Sequence, residues 1–368
     1  MIPASLLPAD GRFGSGPSRV RPEALAGLAA TGTSYLGTSH RQAGVRDVVA
    51  RIRAGLRALF DLPAGHEVVL GNGGATAFWE VAAFGLVRER SQHQVFGEFS
   101  GKFAEVARGA PFLAEPVVVA AAAGSAPAPL AVAPGVDLVA LTHNETSTGV
   151  ALAPVRPAGA EEALVVVDAT SAAAGLPVAV ADLDAYYFGP QKGFAGDGGL
   201  WVALLSPAAV ARAGQVAAAG RWIPPSLSLT TAVANARLDQ TYNTPALATL
   251  WLLGDSVEWL LEQGGLAWST ARCAASAAVL YGWAERSPYA TPFVTDPGVR
   301  SAVVGTVDLG DGVDAAVVRA VLRAHGVVDV EPYRSLGRNQ LRVGMFPAVD
   351  PADVEALTAC VDHVVARL

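Results

Sequence analysis

Lysine is rare in this chain, and one of its lysines lies where an amine could do chemistry. Of the 26 basic residues among 368, only Lys102 and Lys192 are lysines. Lys192 follows an apolar stretch typical of a strand and lies among glycines typical of a tight turn. A lysine amine can condense with an aldehyde and an arginine cannot, although an exposed loop lysine is the more common structure. Lys102 lies in a predicted surface helix, and we assign it no role.

A carboxylate precedes this lysine at the end of another predicted strand. Asp168 directly follows the apolar run 163–167 and lies 24 residues before Lys192. Pyridoxal 5'-phosphate needs such a pair, because a lysine forms a Schiff base with its aldehyde and a carboxylate keeps its pyridine nitrogen protonated. Asp168 alone is equally typical of a helix cap or a loop. Together the two residues predict a pyridoxal-phosphate site.

Three further features could hold other parts of such a cofactor. Segment 71–76, GNGGAT, precedes a predicted helix whose first N–H groups suit a phosphate, although a simple glycine turn has the same pattern. Phe99 could stack on a ring, as could any core phenylalanine. Thr146 could donate to a ring oxygen, or it could only end a strand.

Composition and charge exclude several classes of protein. The net charge of −7 provides no basic surface for nucleic acid, so we expect no nucleic-acid partner. The most apolar stretch, 116–141, is interrupted by prolines and glycines and does not predict a membrane span. The two cysteines form no CxxC pair, and we expect neither a disulfide framework nor a metal site. Because the N-terminus lacks a secretory pattern, we expect a soluble cytoplasmic protein.

Apolar periodicity predicts an α/β fold. It predicts helices at 22–30, 45–60, 78–87, 246–261, 271–284, 315–325 and 351–367. It predicts strands at 66–70, 95–96, 117–121, 137–142, 163–167, 186–188, 303–308, 327–332 and 340–345. Such alternation favours a mostly parallel sheet covered on both faces, which binds ligands beyond the carboxyl ends of its strands. We expect an N-terminal segment reaching the active site (1–20), a large cofactor-binding domain (21–262) and a smaller α+β C-terminal domain (263–368).

Eight short motifs, in their order and spacing, carry a resemblance to a known family. They are FGSGP (13–17), TSHR (38–41), GNGGAT (71–76), HNETSTG (143–149), VVVDATS (165–171), GPQKGF (189–194), YNTP (242–245) and LRVGMF (341–346). Over nearly its whole length the chain resembles the actinobacterial branch of the phosphoserine aminotransferases, which are class V aminotransferases. The resemblance implies the aspartate-aminotransferase-like PLP fold type I, with a large domain built on a mixed, mostly parallel sheet.

The resemblance also implies roles in binding pyridoxal 5'-phosphate. Lys192 corresponds to the lysine that carries the cofactor, and Asp168 corresponds to the partner of the pyridinium. Phe99 lies where many members have a stacked tryptophan, and Thr146 corresponds to the ligand of the ring hydroxyl. The residues that the resemblance places around the phosphate are Ala75, Thr76, Gln191 and, from the other subunit of a homodimer, Asn243 and Thr244.

The implied reaction exchanges an amino group between glutamate and 3-phosphohydroxypyruvate, which gives O-phosphoserine and 2-oxoglutarate in serine biosynthesis. The resemblance leaves open 4-phosphohydroxythreonine of vitamin B6 synthesis as a second substrate. The implied substrate contacts are Ser15, His40, Arg41, Arg338 and Arg342, of which Arg342 would bind the α-carboxylate and His40, Arg41 and Arg338 the distal anion. Two positions depart from the family pattern: many relatives have arginine at Thr76 and histidine at Gly337.

Other functions stay as alternatives. An alanine– or serine–glyoxylate aminotransferase of class V shares the lysine, the aspartate and the carboxylate-binding arginine, but needs no phosphate-sized basic pocket. A cysteine desulfurase is disfavoured because Cys273 and Cys360 lie in predicted helices rather than a reactive loop. A dinucleotide-binding protein is disfavoured because GNGGAT lacks the GxGxxG pattern. A catalytically silent scaffold would leave the polar residues after the strands without a purpose.

Overall fold

The computed structural model describes all residues 1–368. Its helices are α1 (Pro22–Ala30), α2 (Ala43–Leu59), α3 (Ala75–Gly85), α4 (Glu98–Gly109), α5 (Pro207–Ala218), α6 (Leu229–Ala236), α7 (Leu247–Gln263), α8 (Gly265–Arg286), α9 (Ala315–Ala324) and α10 (Pro351–Val365). Its strands are β1 (Glu67–Asn72), β2 (Ser91–Val95), β3 (Val117–Ala120), β4 (Leu138–Thr142), β5 (Asn144–Glu145), β6 (Val150–Ala151), β7 (Leu164–Asp168), β8 (Ala185–Phe188), β9 (Leu200–Leu205), β10 (Ala290–Pro292), β11 (Val304–Leu309) and β12 (Gln340–Gly344).

A seven-stranded mixed sheet forms the centre of the molecule. Its strand order is β1-β9-β8-β7-β4-β2-β3, and only β9 runs against the other strands. Strands β4, β7, β8 and β9 are buried along their whole length, as expected for strands covered on both faces. One apolar cluster of 37 buried residues covers one face and another of 24 covers the other. The predicted α/β class with a mostly parallel sheet is therefore confirmed.

The C-terminal part has its own apolar core of 25 buried residues around the antiparallel sheet β10-β11-β12. Two residues from the other end of the chain, Ile2 and Phe13, belong to this core. The boundary that we propose between the large and the small domain falls between α7 and α8. There Gly264 and Gly265 have φ angles of 118° and 70°, which favour glycine.

The structure corrects the sequence prediction at segment 327–332, which is not a strand. It makes one isolated bridge, between Val328 and Arg12, and its N–H and C=O groups bond to the N-terminal segment at Gly11 and Phe13. Asp329 has a φ of 66°, which breaks an extended run, and Pro332 has no N–H to donate.

The other predicted helices and strands are present with shifted ends, and the predictions omitted several elements. The omitted elements are α5, α6, β5, β6, β9 and β10, and the surface helix expected around Lys102 is present as α4. No helix is both long enough and apolar enough to cross a membrane. No group of three or more His, Cys, Asp or Glu side chains is arranged to hold a metal ion.

Candidate active site

A cavity of about 300 Å³ lies beyond the carboxyl ends of the central parallel strands. Thr142 ends β4 and Asp168 ends β7, and both line it. Its lining residues are Gly16, Pro17, Ala75, Thr76, Trp79, Phe99, Thr142, Asn144, Thr146, Asp168, Thr170, Gln191 and Lys192. The structure thus brings together seven residues predicted to bind the cofactor: Ala75, Thr76, Phe99, Thr146, Asp168, Gln191 and Lys192.

Lys192 is buried in this cavity with 8% of its surface exposed. Its Nζ donates a hydrogen bond to the carbonyl oxygen of Ser15. Burial and the nearby positive charge of Arg342 lower the pKa of the Lys192 amine to about 7, against the opposing effect of Asp168 and Glu145. A large fraction of this amine is therefore neutral and nucleophilic at neutral pH.

Asp168 is held at the floor of the cavity by donors on both of its oxygens. The indole Nε1 of Trp79 donates to Oδ2 at 3.0 Å. The backbone N–H of Thr170 donates to Oδ1 at 2.9 Å, and its hydroxyl donates to the same oxygen. The buried Tyr187 lies beside Asp168 on the neighbouring strand, and burial and the Asp168 charge raise the pKa of its hydroxyl well above the usual value. The donors on Trp79 and Thr170 orient the Asp168 side chain in the cavity.

The N-terminus of α3 forms the side of the cavity that suits a phosphate. Gly73 and Gly74, with φ angles of 109° and 77°, turn the chain from β1 into the helix. The first N–H groups of a helix have no partner within it, and here they belong to Ala75 and Thr76. Gln191 also lines the cavity, and its side-chain amide carries two N–H donors that suit a phosphate.

Phe99 lies in the first turn of α4, and a buried carboxylate holds that turn in place. Glu145 is fully buried and accepts hydrogen bonds from the backbone N–H groups of Phe99 at 3.3 Å and Ser100 at 2.9 Å. It also accepts from the hydroxyls of Ser100 and Ser147. Glu145 therefore caps α4 from outside the helix. This cap fixes where the Phe99 ring meets the cavity.

Thr146 lines the cavity, and Arg342 contacts it from outside the lining. The Thr146 hydroxyl donates to the Ser171 hydroxyl at 2.7 Å, and its carbonyl accepts from Nη1 of Arg342 at 3.2 Å. Arg342 lies on β12, with its guanidinium 5.3 Å from the centre of the Tyr333 ring. Burial lowers the pKa of Arg342. Its positive charge also acts on Lys192. A guanidinium placed here can bind a carboxylate near the lysine amine.

Arg338 lies outside the cavity lining. Its Nε donates to Asp308 at 3.0 and 3.1 Å, Nη2 forms an ion pair with the same carboxylate, and the guanidinium lies 4.5 Å from the centre of the Phe293 ring. A role in binding the distal anion would require Arg338 to leave Asp308. That role stays a prediction.

Four further predicted residues cluster on the surface of the same chain, outside the cavity lining. The Thr244 hydroxyl and His40 Nδ1 are 3.2 Å apart. Arg41 donates to the carbonyl of Tyr242 at 3.2 Å and also to Gln240. Asn243 accepts from Asn72, the last residue of β1. His40, Arg41, Asn243 and Thr244 are thus presented as one unit, which we call the surface cluster.

Ser15 belongs to an N-terminal segment that crosses the cavity. The Ser18 N–H donates to the Gln191 carbonyl at 2.8 Å, and the Ser18 hydroxyl donates to the Lys192 carbonyl at 2.6 Å. The buried Ser15 hydroxyl has no partner. A Cβ at Gly16 would lie 2.2 Å from Lys192 Nζ, so this position requires glycine.

Sequence reasoning missed several residues of the site. Trp79 was not identified, although it lies one helical turn after Ala75 on the same face of α3. Thr170 lies two residues after Asp168, a spacing typical of a side-chain turn. Asn144 and Glu145 lie inside the HNETSTG motif, which could have indicated them.

A larger cavity, of about 920 Å³, lies between the C-terminal ends of α3 and α5. Its rim includes the exposed Trp222 and the guanidinium of Arg221, which donates to backbone carbonyls of α3 and the following turn. It contains no buried amine, carboxylate or thiol. The smaller cavity is therefore the candidate active site.

The residues of the smaller cavity fit pyridoxal 5'-phosphate. The free polar groups are the helix N–H groups at the phosphate side and the unpartnered oxygens of Gln191, Asn144 and Ser15. Asp168 can accept from a ring N–H, and a largely neutral lysine amine can react with an aldehyde. The volume is within the usual range for small-molecule sites. Cys273, by contrast, is buried with its pKa raised to about 12, so it cannot act as a desulfurase nucleophile.

The fold and the lining of this site agree with those of a known family of transferases. The family model for class V aminotransferases matches residues 124–332, more than half of the chain, and the chain belongs to that family. Full-length relatives narrow the assignment. The chain is 62% identical over 368 residues to a phosphoserine aminotransferase of Rhodococcus jostii and 61% identical over 369 residues to one of a Nocardioides species, covering 100% of this chain and 98% of each relative. Within class V, the chain is a member of the phosphoserine aminotransferases.

Solved structures confirm the predicted fold type. A phosphoserine aminotransferase from Cytophaga hutchinsonii is similar with a TM-score of 0.90 at 24% identity, covering 96% of this chain and 99% of that one. An aspartate aminotransferase from Thermus thermophilus is similar with a TM-score of 0.78 at 25% identity, covering 96% of this chain and 99% of that one. The resemblance to an aspartate-aminotransferase-like α/β fold is therefore borne out.

Proposed function

We propose that this chain binds pyridoxal 5'-phosphate on Lys192 and transfers the amino group of glutamate to 3-phosphohydroxypyruvate, which gives O-phosphoserine and 2-oxoglutarate. The observation that carries the proposal is the buried Lys192 amine, in one cavity with the Asp168 carboxylate and the N-terminus of α3. The names of the full-length relatives support the phosphorylated substrate. 4-Phosphohydroxythreonine, which carries a similar phosphate, is the second substrate to examine.

Different residues of the chain would bind different parts of the cofactor. When bound, pyridoxal 5'-phosphate supplies an aldehyde for the amine and an aromatic ring that withdraws electrons from the substrate's α-carbon. Asp168 would hold the ring nitrogen, the N-terminus of α3 and Gln191 would hold the phosphate, and Phe99 would cover a ring face. Thr146 and its partner Ser171 lie on the wall suited to the ring hydroxyl.

Lys192 then moves the proton. Because burial and Arg342 lower its pKa to about 7, the Lys192 amine could take up the α-proton of the amino acid and give it back without a large energetic penalty. The cavity wall excludes bulk water from this step, since Lys192 has only 8% of its surface exposed. The Ser15 carbonyl, which accepts from Nζ, orients the amine.

Arg342 binds the substrate α-carboxylate in this proposal. Its guanidinium is half-buried and near the lysine, and its Nη1 contact to the Thr146 carbonyl, at 3.2 Å, is long enough to be exchanged for a carboxylate. The distal phosphate needs further positive charge, because Arg338 is paired with Asp308 in its own chain.

We propose that a second subunit supplies that charge. The surface cluster carries Arg41 and His40 beside Asn243 and Thr244, and none of the four lines the cavity of its own chain. Leu238 and Tyr242 next to it are exposed large apolar residues, with 57% and 45% of their surfaces accessible. Apolar exposure beside a functional cluster is typical of an interface. The proposed homodimer would place one cluster at each partner's cavity.

The proposal is tested by comparing amino donors and acceptors with the purified holoenzyme. We expect the kcat/KM for glutamate with 3-phosphohydroxypyruvate to exceed that for alanine with glyoxylate by at least about 100-fold. Arg342→Gln should lower kcat/KM for glutamate about 30-fold, since a charge-assisted hydrogen bond contributes about 2 kcal/mol. Arg272→Gln, which removes an ion pair to Asp350 elsewhere, is the matched control and should leave kcat/KM unchanged.

Faster transfer from alanine to glyoxylate would instead identify a glyoxylate-type aminotransferase. A Lys192→Ala variant with normal turnover would overturn the assignment of the catalytic lysine.

A further inference from the structure

The two oxygens of Asp168 are used unequally. Oδ1 accepts two hydrogen bonds from Thr170, from its backbone N–H and from its hydroxyl. Oδ2 accepts one hydrogen bond, from the Trp79 indole at 3.0 Å. A carboxylate oxygen has room for about two donors. Oδ2 therefore keeps one accepting position, and Asp168 lines the cavity.

Trp79 is held firmly enough to orient that carboxylate. Its side chain is 4% exposed, and its ring stacks on Phe103 with centroids 6.2 Å apart and an interplanar angle of 15°. It belongs to α3, whose first residues Ala75 and Thr76 form the phosphate side of the cavity. One rigid helix thus contacts both ends of the space that the cofactor would fill.

We propose that Trp79 is a positioning residue: its indole N–H fixes the Asp168 carboxylate so that Oδ2 receives the ring N–H of the cofactor. The inference rests on the proposed cofactor, but not on the identity of the amino donor or acceptor. Phenylalanine would fill most of the same volume but could not donate, so the hydrogen bond rather than the bulk carries the role.

Two substitutions separate the hydrogen bond from the bulk. Trp79→Phe keeps a large aromatic ring and removes the N–H. Trp79→His removes the outer ring but keeps a ring N–H at the corresponding position of its five-membered ring. If the hydrogen bond positions Asp168, the absorbance spectrum of the bound cofactor should change only in the variant that lacks the N–H. Thermal stability should fall most in the variant with the smaller side chain.

The readout is the visible absorbance of the holoenzyme titrated with pH, without substrate. A ring nitrogen that is held less firmly withdraws fewer electrons from the carbon–nitrogen bond to Lys192, so that bond retains its proton to higher pH. For Trp79→Phe we expect the midpoint of the absorbance change to rise by about 0.5 pH units and the Kd for pyridoxal 5'-phosphate to rise about tenfold. For Trp79→His we expect the wild-type midpoint, with a lower melting temperature.

Trp283→Phe is the matched control, because it also removes a bond from a buried indole to a carboxylate, here to Asp362 at 2.8 Å in the C-terminal core. It should lower stability and leave the absorbance midpoint and the Kd unchanged. A wild-type midpoint in Trp79→Phe would overturn the proposal, and so would an equal rise in Trp79→His.

If Trp79→Phe does not fold, Trp79→Leu, which also removes the N–H, replaces it: a raised midpoint supports the proposal and a wild-type midpoint overturns it. A wild-type chain that takes up no pyridoxal phosphate would refute the proposed function itself, before any variant is compared.

Discussion

At the scale of single residues, the Lys192 amine is placed between charges of both signs. Burial, and to a smaller extent Arg342, lowers its pKa, whereas Asp168 and Glu145 raise it, and the result is a pKa of about 7. A lysine with this pKa can act as a nucleophile and as a proton carrier near neutral pH. Burial of the amine, adjusted by the surrounding charges, therefore sets its reactivity.

This environment predicts how cofactor attachment depends on pH. The rate at which the cofactor-free protein attaches pyridoxal 5'-phosphate, followed by visible absorbance, should rise up to about tenfold per pH unit below 7, because only the neutral amine reacts. It should level off above that pH. Arg342→Gln removes a positive neighbour, so the pKa and the midpoint should move to higher pH. A rate that keeps rising to pH 10, as for an exposed lysine, would contradict the assigned environment.

Sequence reasoning was most successful at this scale for Lys192 and Asp168. Each follows a strand, so local pattern alone places both at one edge of the sheet. Trp79 was missed because its partner Asp168 lies 89 residues further along the chain, and no local pattern indicates which side chain an indole will meet. The resemblance assigned Arg338 to the substrate. In the structure, β11 and β12 pair so that Asp308 lies opposite Gln340, and Arg338, two residues before Gln340, bonds to Asp308.

At the scale of elements, two helix N-termini and one segment build the site. The N-terminus of α3 faces the phosphate side, and the N-terminus of α4 presents Phe99. The segment 11–18 bonds to Val328 and Gly344 of the C-terminal part and then to Gln191 and Lys192. The N-terminal segment thus connects the proposed small domain directly to Lys192.

Glu145 links the stability of α4 to the site. Glu145→Gln keeps the shape but weakens the charged cap, and we expect the free energy of unfolding in urea to fall by about 2 kcal/mol. The Kd for pyridoxal 5'-phosphate should rise as well, because Phe99 follows the first turn of α4. Asp314→Asn removes the charge of a cap on α9, far from the cavity, and should lower stability alone. An unchanged cofactor Kd in Glu145→Gln would show that α4 does not position Phe99.

At the scale of the whole molecule, the cavity of one chain contains only part of the predicted site. In the surface cluster Arg41, Asn243 and Thr244 are exposed and His40 is half-buried, and in the proposed homodimer the cluster would act at the partner's cavity. Each complete site would combine the cavity of one chain with the surface cluster of the other. Two inactive variants, one changed in the cavity and one changed in the surface cluster, should therefore complement each other.

Lys192→Ala co-expressed with the double variant Asn243→Ala/Thr244→Ala tests this arrangement. Random pairing makes half of the dimers hybrid, and each hybrid has one intact site of two, so activity should recover to about a quarter of wild type. Lys192→Ala with Lys192→Arg is the control and should stay inactive. Failure of the first pair to recover would show that the surface cluster does not serve a partner's site.

By itself the sequence determined the class of fold, and it predicted that Lys192 and Asp168 belong to one site. These depend on periodicity and on residues at strand ends, which local patterns carry. Only the tertiary structure decided that Trp79 holds Asp168, that Glu145 caps α4 and that Arg338 pairs with Asp308. Such contacts join residues far apart in the chain, and their partners are chosen by how helices and sheets pack against one another.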